Sequence, residues 1–196
     1  HPVKHITTGE GGMVATDREE YAKRIRRFRN HGIDSDFRQR ERQGSWYYQM
    51  VALGFNYRIS DIQCALGLSQ LKKLDEFIKK RRDIAKQYLS AFAGNNAIKP
   101  LNVKKGIEHV YHLFVIRVAG DRKLIFQKMR DMNIGVNVHY IPVYFHPYFK
   151  RTLGVGSGLC PVAEKNYEQL LTLPIYPQMN GEGIQKVIYA LNKAMA

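Results

Sequence analysis

The sequence predicts an α/β chain in two parts: an N-terminal piece without a complete core, followed by a compact α+β domain. Three observations carry that expectation. Residues 3 to 16 set β-branched side chains around a glycine cluster, with no long apolar run nearby. Residues 60 to 92 hold apolar side chains at helical spacing over more than one ordinary helix length. Beyond residue 110, strand-like and helix-like stretches alternate within a short span, as in a small mixed domain.

The elements follow in chain order. Val3 to Thr8 and Met13 to Thr16 flank Gly9-Glu10-Gly11-Gly12, which predicts two short strands and a turn. Asp17 is the expected N-cap of the next helix, with Glu20 as its capping-box partner. That helix carries Tyr21, Ile25 and Phe28 on one face and stops near Asn30-His31-Gly32, where glycine suits a left-handed cap. Residues 33 to 50 are charged, aromatic and aperiodic, and predict a long mobile loop. Order returns at Ser60-Asp61, a second N-cap. Ile62, Ala65, Leu66, Leu68, Leu71, Leu74, Phe77, Ile78, Ile84, Tyr88 and Phe92 then continue a helical stripe, with a bend expected near Asp75.

In the last part, Val110 to Val118 predicts a strand, Arg122 to Met132 a helix and Val136 to Tyr140 another strand. Pro161 suits the first turn of a helix that ends before Pro174. Asn180 caps a final amphipathic helix carrying Ile184, Val187, Ile188 and Leu191.

Composition narrows the class. Of 196 residues, 44% are hydrophobic and 24% charged, a balance that supports a sizeable core. No apolar stretch approaches the roughly 20 residues that cross a bilayer, so no membrane role is expected. The chain opens His1-Pro2-Val3-Lys4, neither an initiator Met nor a signal peptide, and reads as a piece of something longer. Cys64 and Cys160 lack metal-ligand spacing, so no metal site is expected; they read as small buried hydrophobes of a cytoplasmic protein. The net charge of +14 raises nucleic acid as a partner. The cations are spread over polar helix faces, however, and no zinc knuckle or basic zipper accompanies them. An anionic small substrate, or an acidic missing half, accounts for the same charge.

Taken alone, Lys4 is an ordinary lysine, and most lysines are solvated. Its interest is chemical: an amine on stiff backbone can condense with a carbonyl if its surroundings keep it neutral. The segment His1-Pro2-Val3-Lys4-His5-Ile6-Thr7-Thr8-Gly9-Glu10-Gly11-Gly12 resembles the cofactor-lysine segment of the DegT/DnrJ/EryC1/StrS family of sugar aminotransferases. Gly54-Phe55-Asn56-Tyr57-Arg58-Ile59-Ser60-Asp61-Ile62-Gln63, continued by Ala65 to Leu71, resembles the family's segment before its interdomain helix. Val138-His139-Tyr140-Ile141-Pro142-Val143-Tyr144 resembles its substrate-side loop, and Leu173-Pro174-Ile175-Tyr176-Pro177 its late Leu-Pro segment. The pattern is most similar to the branch of UDP-4-amino-4,6-dideoxy-N-acetyl-beta-L-altrosamine transaminases.

The resemblance implies fold type I of the PLP-dependent transferases, truncated to its C-terminal half. Residues 1–58 would be a remnant of the large cofactor-binding domain, 59–93 the interdomain helices and 94–196 the small C-terminal domain. It implies pyridoxal 5'-phosphate as cofactor, held by Lys4 through a Schiff base, and a UDP-linked keto-sugar and an amino-acid donor as substrates. It also implies a homodimer with shared active sites, Asn56 reaching the neighbouring site near cofactor and substrate. Arg58 would serve the anionic sugar nucleotide or a structural ion pair, and Val138, His139, Tyr140 and Ile141 would line the sugar-nucleotide pocket. A dehydratase branch has histidine at the lysine position, and Lys4 argues against that branch. The acid for the pyridine nitrogen and the aromatic for the ring belong to an upstream half, so this chain alone is expected not to transaminate. The rival readings are a non-catalytic regulatory or nucleic-acid-binding protein on the same scaffold, and a stable remnant left by proteolysis.

Overall fold

In the computed structural model all residues, 1–196, are described, and the chain divides into two units, His1–Lys72 and Lys73–Ala196. The first unit holds α1 (Glu19–Phe28), α2 (Phe37–Arg42) and α3 (Asp61–Leu71). The second holds α4 (Leu74–Ala91), β1 (Ile98–Pro100), β2 (Phe114–Val118), α5 (Arg122–Asp131), α6 (Pro147–Leu153), α7 (Pro161–Gln169), β3 (Leu170–Leu173) and α8 (Gly181–Met195).

The second unit owns a core. Ile84, Ala85, Tyr88 and Phe92 form the buried stripe of α4 and its C-cap, at the i, i+4, i+8 spacing of one helix face. β2 is central, antiparallel to β1 on one side and to β3 on the other. Phe114, Ile116 and Val118 are buried, while Val115 and Arg117 between them are half-buried. This two-residue alternation is why the stretch is a strand. α8 packs against α4 and α5 through Ile184, Val187, Ala190, Leu191 and Ala194, and α5 in turn meets β3. Arg81 lies in the same buried stripe, its Nη1 donating to the carbonyls of Ile175 (2.8 Å), Tyr111 (3.2 Å) and His112 (3.3 Å). The final helix is capped by the Asn180 side chain, which accepts from the Gly183 N–H, as its sequence position implies.

The first unit has no such core. Gly32 is its one buried residue, and none of α1, α2 and α3 buries a side chain. Its order comes from backbone pairing where the chain crosses itself. The Phe55 and Tyr57 N–H groups donate to the carbonyls of Phe28 (2.7 Å) and Arg29 (2.9 Å), and His31 and Val51 donate to Phe55 and Gly32 (both 2.9 Å). The crossing is too tight for side chains: a Cβ on Gly54 would lie 2.1 Å from the Gly32 nitrogen. Phe28, Phe55 and Tyr57 cluster their rings over it, with Phe55 and Tyr57 stacked at 5.1 Å.

Several sequence expectations need correction. Residues 3 to 16 form no strands, because side chains satisfy the backbone there. Thr7 Oγ1 accepts from the Gly9 N–H (2.9 Å) and Thr8 Oγ1 donates to the Glu10 carbonyl (2.9 Å), and no neighbouring strand competes. The N-cap of α1 is Arg18, without a side-chain cap, so Asp17 and Glu20 form no capping box. Residues 33 to 50 are not an unstructured loop. Asp36 and Gln39 close a reciprocal capping box that starts α2, and Asp34 and Gln49 tie the ends together. The break expected near Asp75 in the long helical stripe does occur, at Lys72-Lys73. Val136 to Tyr140 is not a strand: Asn137 pairs with Thr172 alone, and the Val138 N–H is taken by the Asn137 side chain (2.8 Å). Cys64 and Cys160 are exposed free thiols.

Candidate active site

Lys4 sits exposed in a turn closed by its own N–H on the His1 carbonyl (3.1 Å), so the expected stiff strand is a hydrogen-bonded bend instead. Residues 8 to 10, which follow this bend, are held by α3. Ser60 and Gln63 form the capping box of α3, and the Gln63 side-chain amide also donates to the Glu10 carbonyl (2.9 Å). Thr8 approaches the helix so closely that a Cβ on Gly67 would lie 2.9 Å from Thr8 Cγ2. Gln63 and Gly67 thus set where residues 8 to 10, downstream of Lys4, lie. The motif match contained both residues, but their contact with residues 8 to 10 has no local signal. Glu10, assigned to turn geometry, acts there through its carbonyl.

Asn56 and Arg58 lie on the exposed run that leads from the Gly32–Gly54 crossing to α3. Asn56 pairs with Asn30 across an isolated antiparallel bridge, and the Arg58 guanidinium donates to Asn30 Oδ1. That partner is neutral. The structural ion pair considered for Arg58 is therefore not the contact present, and its charge stays available for an anion.

In the second unit, Val138 and His139 are half-buried, whereas Tyr140 and Ile141 are exposed at 67% and 45%. His139 Nδ1 lies 2.9 Å from the hydroxyl of buried Thr172, which orients the imidazole, and the Tyr140 ring stands edge-on to it at 4.5 Å. Past Pro142 the chain makes a single 3-10 turn, Val143–Phe145. The Tyr144 hydroxyl there donates to Glu164 Oε1 (3.1 Å), and burial, then this carboxylate, push the phenol pKa up to about 12. Glu164 is itself held below the usual carboxylate range, first by the Gly158 N–H. Lys4, Asn56 and Arg58 belong to the first unit and Val138 to Ile141 to the second. No group of three or more His, Cys, Asp or Glu side chains is placed to hold a metal ion, and no helix is long and apolar enough to cross a membrane.

The sequence profile of the DegT/DnrJ/EryC1/StrS aminotransferase family matches residues 1–192. The chain belongs to that family. Among family relatives, the spore coat polysaccharide biosynthesis protein SpsC of Bacillus subtilis is 37% identical over 97% of this chain and 51% of its own length. The UDP-4-amino-4,6-dideoxy-N-acetyl-beta-L-altrosamine transaminase of Campylobacter jejuni (serotype O:2) is 38% identical over 92% of this chain and 46% of its own. The Spr1654 protein of Streptococcus pneumoniae, solved in PLP and PMP forms, superposes its PMP form with a TM-score of 0.89 at 31% identity, over 100% of this chain and 51% of its own. The chain spans about half the length of the curated relatives it matches. The fold is therefore part of the family's PLP-dependent architecture.

Proposed function

We propose that this chain carries the cofactor lysine and part of the sugar-nucleotide site of an aminotransferase that moves an amino group, from L-glutamate, to a keto carbon of a UDP-linked 6-deoxy sugar for surface polysaccharide or glycan synthesis. The observation that carries the reading is Lys4, exposed within the His1 to Gly12 segment, whose Glu10 carbonyl is held by Gln63 of α3, in a chain that matches the family over residues 1–192.

The residues present fit one end of pyridoxal phosphate. A primary amine at Lys4 suits its aldehyde, and Asn56 and Arg58 offer polar contacts to an anionic ligand. Thr7 and Thr8 are engaged with Gly9 and Glu10, so partners for the pyridine nitrogen and ring must come from elsewhere. When bound, the cofactor supplies an electrophilic carbon and a conjugated ring that takes up negative charge from the neighbouring carbon. Lys4 would hold it through its amine, and that same amine, when free and neutral, would be the group placed to accept and return a proton at the substrate carbon. Arg58 contributes charge toward the diphosphate. His139, oriented by Thr172, and exposed Tyr140 present polar and aromatic faces to the sugar nucleotide. Asn56 serves a site shared with a second subunit of a homodimer.

The test uses the 196-residue chain and the same residues joined to an upstream half. The chain alone, given cofactor, glutamate and a 4-keto sugar nucleotide, is expected to turn nothing over. In the joined protein, borohydride should fix pyridoxal phosphate on the peptide containing Lys4, and Lys4→Ala should abolish the label. A label elsewhere, or one that survives the substitution, removes the proposal.

A further inference from the structure

The stretch from Asn137 to Tyr144 is gripped at both ends by one continuous piece of chain. α7 runs into β3 without a loop, Gln169 being followed directly by Leu170. Near its start, Glu164 takes the Tyr144 hydroxyl. Near its end, Thr172 exchanges backbone hydrogen bonds with Asn137 (2.8 and 3.2 Å) and holds His139 through its hydroxyl. Thr172 is buried and its strand is paired to β2, so this end of the arm is fixed by the core.

Glu164 is unusually saturated for a carboxylate that is not deeply buried. Besides Tyr144 it accepts from Ser157 Oγ (3.1 Å) and the Cys160 N–H (3.3 Å), and from the Gly158 N–H on both oxygens (2.9 and 3.0 Å). It lies in the first turn of α7, where a negative charge is favoured. Its acceptor capacity is used by the protein, which argues against a role as general base. Four donors making five contacts on two oxygens instead describe a clamp: it closes residues 157 to 160 and fixes the turn that follows Pro142.

We propose that Glu164 is a positioning residue which, with Thr172, sets the conformation of Val138 to Ile141 and thereby the affinity for the sugar nucleotide. This rests on the functional reading given above. Glutamine at 164 keeps the size but directs an amide N–H toward donors that need an acceptor, so the clamp opens. Tyr144→Phe removes only the contact to the turn.

In the joined protein, Glu164→Gln is expected to raise KM for the sugar nucleotide about tenfold, the factor associated with one lost charge-assisted hydrogen bond acting through binding. The half-reaction with the amino donor should stay within about twofold, since it does not use the segment. Tyr144→Phe should shift the same KM in the same direction by less. In the 196-residue chain, hydrogen exchange at residues 138 to 146 should quicken in Glu164→Gln while the Phe114–Val118 amides keep their protection. An unchanged sugar-nucleotide KM, equal damage to both half-reactions, or unchanged exchange at 138 to 146 would each overturn the clamp. A wild-type joined protein that aminates no keto sugar nucleotide would overturn the functional reading and the link to affinity, a result distinguishable from a failed clamp.

Discussion

Arg81→Met is the sharpest probe of how the second unit is held. Arg81 is 5% exposed, and no carboxylate is paired with it. Its Nη1 instead gathers three carbonyls from two distant segments, Tyr111 and His112 on one side and Ile175 on the other. Methionine fills similar space but donates nothing, so three acceptors lose their partner. At roughly 1 kcal/mol net for each such bond, the loss is about 3 kcal/mol. Against this stands the guanidinium itself, whose burial lowers its pKa and whose Nε has no partner. Removing that desolvated charge returns on the order of 1 kcal/mol. The expected net destabilisation is thus about 2 kcal/mol. With a urea m-value of about 2 kcal/mol/M, the midpoint should fall by about 1 M. Native-state hydrogen exchange of the Phe114–Val118 amides across a urea series reads this unit specifically. A midpoint that stays or rises would refute the reasoning, because it would mean that the buried cation costs more than its carbonyl contacts give back.

Two other outcomes follow from the same physics. Tyr88 is fully buried and donates to the Pro174 carbonyl at 2.9 Å; burial first, then the Tyr176 phenol, raise its pKa well above the ordinary 10.0. A raised folded-state pKa means that this group's contribution is complete below the unfolded value and is lost as pH climbs above it, so the second unit should weaken above pH 10 by up to roughly 1.4 kcal/mol per pH unit. Thermal melts should show that Tyr88→Phe costs about 1–2 kcal/mol at neutral pH yet flattens the alkaline slope. Gly54→Ala should force apart the chain crossing in the first unit, since the new Cβ meets the Gly32 nitrogen at 2.1 Å and the His31 carbonyl carbon at 2.6 Å. Overpacking of this kind typically costs about 1–3 kcal/mol. Amide exchange at His31 and Val51 should accelerate while β2 stays protected; unaltered exchange there would contradict the close approach.

What could be read from the sequence was what short range decides. Ser60, Asn180 and Pro161 mark helix starts because an N-cap, or a proline in the first turn, acts on its own next three residues. The final helix shows its core face by spacing alone. The failures share a cause in pairing that sequence does not display. Val3 to Thr16 has strand composition, but a strand requires a partner, and side-chain turns prevail without one. β1 is three residues long and ends at Pro100, too short for any periodicity. Helix α2 announced itself only by Asp36 and Gln39, in a stretch whose lack of periodicity pointed to a mobile loop. For the candidate site, family resemblance is what singles out the lysine loop, the Asn56 segment and residues 138 to 141, and their roles stand as proposals. The Gln63 and Glu164 contacts were not legible, because each joins residues brought together by loops.

The coreless first unit gives the +14 charge a further meaning. Side chains such as Met13, Trp46, Leu53 and Ile62 stand 92%, 84%, 74% and 83% open to water, and surfaces of this kind on separate molecules attract one another. Mutual repulsion between strongly cationic chains opposes that attraction over about a Debye length, roughly 10 Å at 0.1 M salt. Colloidal behaviour of the isolated chain is therefore tied to ionic strength: dilute buffer keeps copies apart, and added electrolyte lets the greasy faces find each other.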